Sequence, residues 1–177
     1  TGQSTTSTTC NSGSDGTATI SVSGGDSPYT YAWLNSVGTT VSINAATATG
    51  LSAGTYTCQV TDNSSCTVVS NVLTVTEPDL VVASGTITNV DCYGTSTGSI
   101  NFGVVGGSSS YTYAWSDGAQ YSASTEDIAN LPAATYGCTV TESNGCTVTG
   151  ITSFQVTQPD ALTAVISQTN SIDCNGD

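Results

Sequence analysis

The sequence predicts an all-β protein made of tandem immunoglobulin-like antiparallel β-sandwich modules of about 82 residues each. The first observation is a period, because Cys10, Cys92 and Cys174 follow one another at intervals of 82 residues (92 − 10 and 174 − 92). The second is that short runs of alternating or β-branched residues end in Gly, Asn, Asp or Ser, as strands and turns do. The third is that no segment has the apolar period of a helix.

The repeat extends far beyond the cysteines. The segment YTYAW at residues 29–33 recurs at residues 111–115, and LSAGTYTC at 51–58 corresponds to LPAATYGC at 131–138. A Thr-Glu/Gln-Pro-Asp segment closes both copies. These matches predict repeat 1 at residues 1–78, with the completeness of its N-terminus left open, repeat 2 at residues 79–159, and the start of repeat 3, its strand A and A–B corner, at residues 160–177.

The second copy predicts the strands of a module in order. Six or seven short strands at this spacing favour an antiparallel sandwich. The predicted positions are strand A at residues 80–88, B at 99–105, C at 111–115, a weak D/E region at 121–128, F at 135–141 and G at 146–156.

Two strands carry the expected core anchors. Strand C alternates, so Tyr29, Tyr31 and Trp33 share one face. A Trp on strand C is the usual anchor of a sandwich core, which favours burial over a sugar-stacking platform. In strand F the Tyr-x-Cys spacing of Tyr56 and Cys58 is that of an immunoglobulin tyrosine corner. The expected core residues of the two repeats are Trp33, Tyr56, Trp115 and Tyr136.

Composition excludes several classes of function. The chain has no Lys, Arg or His and 13 Asp and Glu residues, which gives a formal charge of −13. Nucleic acid and anionic membrane surfaces are excluded as partners, because both are bound through Lys and Arg. No apolar run approaches the ~18 residues of a membrane span, so no membrane insertion is expected.

The same composition argues against an enzyme. Without His, Lys or Arg there is no imidazole base, no amine nucleophile and no cationic oxyanion clamp. A pair of carboxylates remains as a formal alternative, that of a glycosidase. The acids do not recur between the copies, however, because Asp15 corresponds to Thr97 and Asp26 to Ser108. The prediction is a non-enzymatic protein.

Seven cysteines indicate an oxidising, extracellular setting. Strand B has Ile20 and Val22 where an immunoglobulin domain places the partner of the strand F cysteine, so the B-to-F disulfide is not expected. In such a fold the A–B corner and the F–G turn of one module lie about 17–20 Å apart. A disulfide needs Cα atoms within ~7 Å, so a bond between Cys10 and Cys66 would require another path for strand A.

Three pairing schemes therefore stay open. In the first, Cys10 bonds to Cys146 of the next module, Cys92 awaits the following module, and Cys174 repeats the position of Cys92. In the second, Cys10 bonds to Cys66 within one module. In the third, the F–G hairpins are closed by Cys58 with Cys66 and by Cys138 with Cys146. We favour a bond from an A–B cysteine to an F–G cysteine, with Cys58 and Cys138 as small core thiols.

Calcium is the one candidate cofactor, since carboxylates and amide oxygens are its ligands. None of the acidic segments has a known calcium-binding spacing, and Asp and Asn are ordinary turn formers, so the turn interpretation is favoured and no cofactor is expected. The weak candidates are Asp62, Asn63, Glu77, Asp79, Glu142 and Asn144.

Several of these motifs resemble the SprB-type repeats of bacterial gliding-motility and cell-surface adhesins. The resemblance rests on SGGDSPYTYAW at residues 23–33, LSAGTY at 51–56, Val60-Thr-Asp62, the positions of Cys66 and Cys146, and the closing Thr-Glu/Gln-Pro-Asp. It implies a very large secreted protein of the bacterial cell surface, exported by the type IX route and carried along the cell as a motility adhesin.

The expected function is that of a structural or adhesive repeat segment of a large secreted cell-surface adhesin or filament. Its expected partners are neighbouring repeats of the same chain, with self-association or a surface polysaccharide as further candidates. One alternative is a carbohydrate-binding repeat that uses Tyr29, Tyr121 or the exposed Thr rows. Another is a self-assembling extracellular fibre, in which strand A of one chain completes the sheet of a neighbour.

Overall fold

The alternating runs of the first repeat form the strands of one antiparallel sandwich. The computed structural model describes residues 2–107, 110–148 and 153–167 of the chain. One sheet has the order β1-β2-β5 and the other β4-β3-β6-β7, with β8 also paired to β6. The strands are β1 Gly2–Thr6, β2 Gly16–Ser21, β3 Thr30–Asn35, β4 Thr40–Ile43, β5 Thr47–Leu51, β6 Gly54–Thr61, β7 Thr67–Val69 and β8 Leu73–Val75.

The second repeat has the same architecture. Its sheets have the orders β13-β10-β9 and β12-β11-β14-β15, with β16 also paired to β14. Both repeats thus place strands A, B and E in one sheet and C, F and G in the other, as an immunoglobulin-like sandwich does. The strands are β9 Val82–Thr88, β10 Gly98–Val105, β11 Tyr111–Ser116, β12 Ser122–Ala123, β13 Ile128–Leu131, β14 Ala134–Glu142, β15 Thr147–Val148 and β16 Phe154–Val156.

The predicted fold class is confirmed, while two strand positions were wrong. Strand E is β13, which begins where the predicted D/E region ends, because Leu131 is a buried strand residue and not part of a turn. Strand G of repeat 1 is split into the two short strands β7 and β8, and the described parts of strand G in repeat 2 are β15 and β16. In the first repeat the split lies at Ser70, whose Oγ accepts a hydrogen bond from the Cys58 amide (2.9 Å) and interrupts the ladder.

A tryptophan lies at the centre of each core. Trp33 is fully buried, and its indole N–H donates to the carbonyl of Ala45 at 2.9 Å. Trp115 is also buried and donates to the carbonyl of Thr125 at 3.0 Å. Each indole therefore buries a large apolar surface while its one polar group keeps a partner.

A tyrosine corner closes each sandwich. The ring of Tyr56 is buried, and its hydroxyl donates to the carbonyl of Ser52 at 2.9 Å. Tyr136 makes the same bond to the carbonyl of Pro132 at 3.0 Å. This bond fixes the loop that leads from strand E into strand F.

Replacing Tyr56 by phenylalanine is expected to cost about 0.5–1.5 kcal/mol of stability, because the ring stays buried while the Ser52 carbonyl loses its partner. Urea unfolding, followed by fluorescence, measures this change. Tyr93→Phe is the matched control, since Tyr93 is exposed. Equal unfolding midpoints for the two variants would contradict the role of the corner.

Beyond the second sandwich, residues 160–167 form no strand. Leu162, Val165 and Ile166 are fully or almost fully exposed in this segment. Residues 168–177, which include the rest of the predicted third repeat and Cys174, lie outside the described residues. Within the described part of the chain, no helix is long and apolar enough to cross a membrane.

Candidate functional site: the junction between the repeats

Three segments meet where the first repeat ends and the second begins. They are the A–B corner of repeat 1 at residues 9–12, the linker at residues 77–81, and the F–G turn of repeat 2 at residues 142–146. We call these segments together the junction. The A–B corner follows strand β1 of repeat 1, and the F–G turn follows strand β14 of repeat 2, so the two loops belong to different repeats.

A disulfide crosses the junction. Cys10 and Cys146 are bonded, and their Cα atoms lie 5.8 Å apart, within the usual range for a disulfide. Beside the bond, the Asn144 side-chain amide donates to the carbonyl of Thr9 at 2.9 Å. The structure thus contains the inter-repeat pairing, one of the three schemes that the sequence left open.

The A–B corner holds Cys10 in a tight hydrogen-bonded loop. The carbonyl of Cys10 accepts from the Gly13 amide (3.0 Å) and from the Thr8 hydroxyl (2.9 Å). The Asp15 carboxylate accepts from both the hydroxyl and the amide of Thr9. The Thr9 hydroxyl first, and then the Thr9 amide, hold the pKa of Asp15 below its usual range. Hydrogen bonds within the corner therefore hold its shape in addition to the disulfide.

The linker is bonded to both repeats. Towards repeat 1, the Ser12 amide donates to the Glu77 carboxylate at 2.6 Å and the Asn11 side chain donates to the Pro78 carbonyl at 3.0 Å. Towards repeat 2, the Gly107 amide donates to the Asp79 carbonyl at 3.0 Å. These bonds limit the rotation of one repeat against the other.

A pair of glycines lets the linker lie directly on repeat 2. A Cβ atom on Gly106 would come within 2.1 Å of the Leu80 carbonyl oxygen, and Gly106 has a φ of +91°. No other residue fits this position without moving the linker. The sequence analysis did not predict this contact. The signal was present, since the pair recurs one period apart.

A crevice of about 470 Å³ opens at the junction. Its walls come from the A–B corner, the linker and the F–G turn, and they include the disulfide. The residues that line it include Cys10, Ser12, Leu80, Val81 and Cys146. Val81 and Cys146 are buried here, so part of the linker and of the disulfide is packed between the repeats.

Four other cysteines of the described residues carry free thiols. Cys58 and Cys138 are buried on the core side of strand F, and burial raises the pKa of both thiols. Cys66 and Cys92 are exposed. The structure therefore forms neither the hairpin bonds nor a bond from Cys10 to Cys66. Cys58 points into the core, away from the exposed Cys66 at the turn.

Native alkylation is expected to modify Cys66 and Cys92 and to spare Cys58 and Cys138 until the chain unfolds, because burial blocks access and disfavours the thiolate. Mass spectrometry after treatment with iodoacetamide measures this, in a Cys174→Ser variant that removes the thiol outside the described residues. Unfolding in urea without reductant is the control that exposes all four thiols. Rapid native labelling of Cys58 would contradict the buried position.

The calcium candidates fall into two places. Glu77, Asp79, Glu142 and Asn144 lie at the junction, whereas Asp62 and Asn63 lie in the F–G turn of repeat 1. Most take part in the hydrogen bonds of turns and linker, and the Asn144 side chain also accepts from the Cys146 amide at 3.1 Å. Among the described residues, no group of three or more His, Cys, Asp or Glu side chains is placed to hold a metal. The expectation that these residues form turns, with calcium as the weaker candidate, stays a prediction.

Asp62 orders the turn that carries Cys66. Its carboxylate accepts from the amides of Cys66 (2.9 Å) and Asp26 (3.2 Å). These two bonds, the Cys66 bond first, lower the pKa of Asp62.

The stabilisation by Asp62 should be complete above the ordinary Asp pKa of about 3.9 and lost as the pH falls through the lowered folded value. Hydrogen exchange of the Cys66 amide across this acid range measures it. In Asp62→Asn the amide should exchange without that pH-dependent loss of protection. If the exchange of the Cys66 amide has the same pH dependence in the wild type and in Asp62→Asn, the Asp62 carboxylate is not the cause of the lost protection.

The tyrosines considered for sugar stacking are partly committed to the fold. The Tyr29 hydroxyl donates to the Gly24 carbonyl at 2.7 Å, and its ring packs against the first core. Tyr121 meets Tyr136 edge to face, with ring centroids 5.2 Å apart. Both rings are half-buried and so offer only part of their surface to a ligand.

Fold and junction together define a class of protein: tandem immunoglobulin-like sandwich repeats, here linked end to end by a disulfide. The family model of the SprB repeat matches residues 2–38 and 84–120, which are one 82-residue period apart (84 − 2 and 120 − 38). The model matches the chain once in each repeat, and the resemblance to SprB-type repeats found in the sequence is confirmed. Proteins with such repeats are associated with cell surfaces.

Several solved structures are similar to the chain at low sequence identity. The three N-terminal domains of the bacteriophage RB49 highly immunogenic outer capsid protein (Hoc) match with a TM-score of 0.50 and 18% identity, over 87% of this chain and 57% of that one. The C-terminal fragment of intimin in complex with the intimin-binding domain of its translocated receptor matches with a TM-score of 0.43 and 17% identity, over 90% of this chain and 64% of that one. The amphioxus IgVJ-C2 molecule matches with a TM-score of 0.36 and 14% identity, over 86% of this chain and 99% of that one. No curated protein matches the chain.

Proposed function

We propose that the chain is a structural and adhesive segment of a large extracellular cell-surface adhesin, in which tandem repeats form a stalk. The observation that carries this proposal is the junction, where one disulfide joins the repeats and three hydrogen bonds hold the linker to both of them. Free rotation between domains is the ordinary expectation when only a linker connects them. A covalent second connection turns a flexible pair into a spacer of fixed geometry.

The outer face of the A–B–E sheet supports the same role. Threonine hydroxyls pair across neighbouring strands, Thr6 with Thr17 at 2.8 Å and Thr19 with Thr47 at 3.0 Å. Such cross-strand pairs stabilise a sheet without any charged side chain. This suits a protein that has no cation to form a salt bridge and carries a charge of −13. Net charge of one sign also keeps neighbouring stalks apart in solution.

The absence of His, Lys and Arg supports a non-enzymatic role for this segment. We further propose that the parent protein is exported by the type IX route and takes part in gliding motility. Both inferences rest on the SprB repeats, since these are the part of the chain that matches a family.

Immunogold labelling of intact producing cells with antibody to the chain tests the location. We expect gold on the outer surface and along projecting structures, and equal labelling in cells that have not been permeabilised and in cells that have. Label that appears only after permeabilisation would overturn the proposal. A deletion of the two repeats from the parent gene, with export of the protein intact, should shorten the distance between gold and membrane.

A further inference from the structure

Two exposed thiols stand at the positions of the two bonded cysteines. Cys66 is the first-repeat equivalent of Cys146, and Cys92 is the second-repeat equivalent of Cys10. Each repeat thus carries one cysteine on its A–B corner and one on its F–G turn. At the one junction inside the chain these two kinds of cysteine are bonded to each other. At the two outer ends they are free.

The turn that carries Cys66 is built like the turn of its bonded equivalent. In repeat 1 the Asp62 amide donates to the Cys66 carbonyl at 3.0 Å, and in repeat 2 the Glu142 amide donates to the Cys146 carbonyl at 2.8 Å. The next bond is also shared, from Ser65 to Asp62 (3.0 Å) and from Gly145 to Glu142 (2.9 Å). Cys66 therefore has the backbone setting of a bonded cysteine without its partner.

A groove of about 280 Å³ lies beside Cys66. It opens over Gly24 and Gly25, the equivalents of the glycine pair on which the linker lies in repeat 2. A Cβ atom on Gly24 would meet nothing within 4 Å, whereas one on Gly106 would collide with the Leu80 carbonyl. The groove therefore corresponds to the surface that the linker covers in repeat 2, and in repeat 1 this surface is open. Its apolar walls are formed by Val22, Tyr29, Val60 and Val68.

The A–B corner of repeat 2 has the bonds that hold Cys10 in repeat 1. The Cys92 carbonyl accepts from the Thr95 amide at 3.2 Å, as the Cys10 carbonyl accepts from Gly13. The Gly94 amide donates to the Gln158 side chain at 2.9 Å, in place of the bond from Ser12 to Glu77. The corner of repeat 2 is therefore ready to present Cys92 to a following repeat.

We propose that Cys66 and its groove form the docking site for a preceding repeat of the same type. The A–B cysteine of that repeat bonds to Cys66, and its linker lies in the groove over Gly24 and Gly25. Cys92 makes the same bond to the F–G cysteine of a following repeat. The partner is a neighbouring repeat of the same array, so this inference rests on the proposed function. The junction inside the chain is its template, since the new interfaces continue an established one.

Each new bond is an oxidation of two thiols. One thiolate attacks glutathione disulfide, and one reduced glutathione leaves. The second cysteine then displaces the bound glutathione, which gives the inter-repeat disulfide and a second reduced glutathione. Two protons and two electrons pass from the cysteine pair to the glutathione disulfide, so the step balances with this oxidant alone.

A tandem chain tests the proposal directly. Residues 1–164 are followed by a second copy of residues 1–177, which keeps the register because 164 is two periods of 82. The reduced chain is folded in a glutathione redox buffer, alkylated, and digested with chymotrypsin, since trypsin has no site. Mass spectrometry should find Cys92 of the first copy linked to Cys66 of the second. The Cys10–Cys146 bond within each copy is the internal control.

Two results would overturn the proposal. One is that Cys92 and the second Cys66 stay open to alkylation, or end as glutathione adducts, while both Cys10–Cys146 bonds form. The other is a bond between like cysteines of two molecules. A Cys66→Ser change in the second copy should leave Cys92 of the first copy alkylated. Neither result depends on where the parent protein resides, so labelling of cells and disulfide mapping can fail independently.

Asparagine at Gly24 tests whether the linker occupies the groove. Asn tolerates the positive φ of this position, and a Cβ atom there meets nothing within 4 Å, so Gly24→Asn should fold normally in the 177-residue chain. In the second copy of the tandem chain it should slow formation of the Cys92–Cys66 bond by about tenfold or more. Gly38→Asn is the matched control, with the same φ of +80° and open space around it. Equal rates of bond formation for the two variants would show that the linker does not occupy the groove.

Discussion

Replacing Trp33 by alanine is expected to unfold the first repeat and leave the second folded. Trp33 is fully buried at the centre of its core, and its indole N–H has a protein partner. Truncation of a buried Trp costs about 3–5 kcal/mol. A repeat of about 80 residues has a total stability of only about 4–12 kcal/mol, so this loss removes much or all of it.

The chain offers a clean measurement of that effect. It has two tryptophans, one in each repeat, so the fluorescence of Trp33→Ala reports on Trp115 alone. We expect the Trp115 transition to keep its midpoint within a few degrees, and limited proteolysis to cut repeat 1. Trp33→Phe is the control, because it keeps a buried ring and should lose less. Simultaneous loss of both repeats would show that the junction couples them into one cooperative unit.

Replacing Cys10 by serine is expected to release the two repeats from their fixed orientation and to lower the thermal midpoint. The disulfide closes a loop across a sequence separation of 136 residues, and native disulfides typically contribute about 2–4 kcal/mol. The linker bonds to Ser12, Asn11 and Gly107 remain, but each is a single exposed or partly exposed hydrogen bond. We therefore expect a broad distribution of angles between the repeats.

Small-angle scattering and residual dipolar couplings measure the orientation, and calorimetry measures the midpoint. Cys66→Ser is the matched control, because it removes a free exposed thiol of the same repeat. The wild-type protein in reductant should behave like Cys10→Ser. A Cys10→Ser protein with unchanged couplings would mean that the linker alone sets the geometry.

Much of the fold followed from the sequence because its strongest signals are local and occur twice. The alternation of strand C and the Tyr-x-Cys spacing of strand F each depend on side chains of one strand, and both lead to buried residues, Trp33 and Tyr56. The 82-residue period indicated two successive sandwiches without any tertiary information, whereas the predicted third repeat stays a prediction.

The positions that sequence reasoning misplaced depend on contacts between distant segments. The end of strand E was missed because Leu51 and Leu131 stand in Gly- and Pro-containing segments typical of turns, yet strand B pairs with them and buries them. The split of strand G arises from a side chain, Ser70, that bonds across to strand F. Neither contact produces a periodic pattern of residues in the sequence from which it could be predicted.

The junction was only partly accessible for the same reason. The expected distances limited the partners of Cys10 to Cys146 of the next module, or to Cys66 if strand A took another path, and the sequence did not decide between these schemes. The role of Gly106 and Gly107 required the path of the linker, which no residue spacing reveals.

The disulfide between Cys10 and Cys146 also changes what a single cut does to the molecule. Every peptide bond between these two residues lies inside a closed covalent ring. A protease that nicks a loop or the linker there leaves both fragments attached, and tension along the chain can pass through the sulfur bridge instead of the severed peptide. Wherever successive repeats are joined in this way, both the linker peptide and the disulfide connect them across each junction. A single cleaved peptide bond inside such a ring does not detach the repeats that follow.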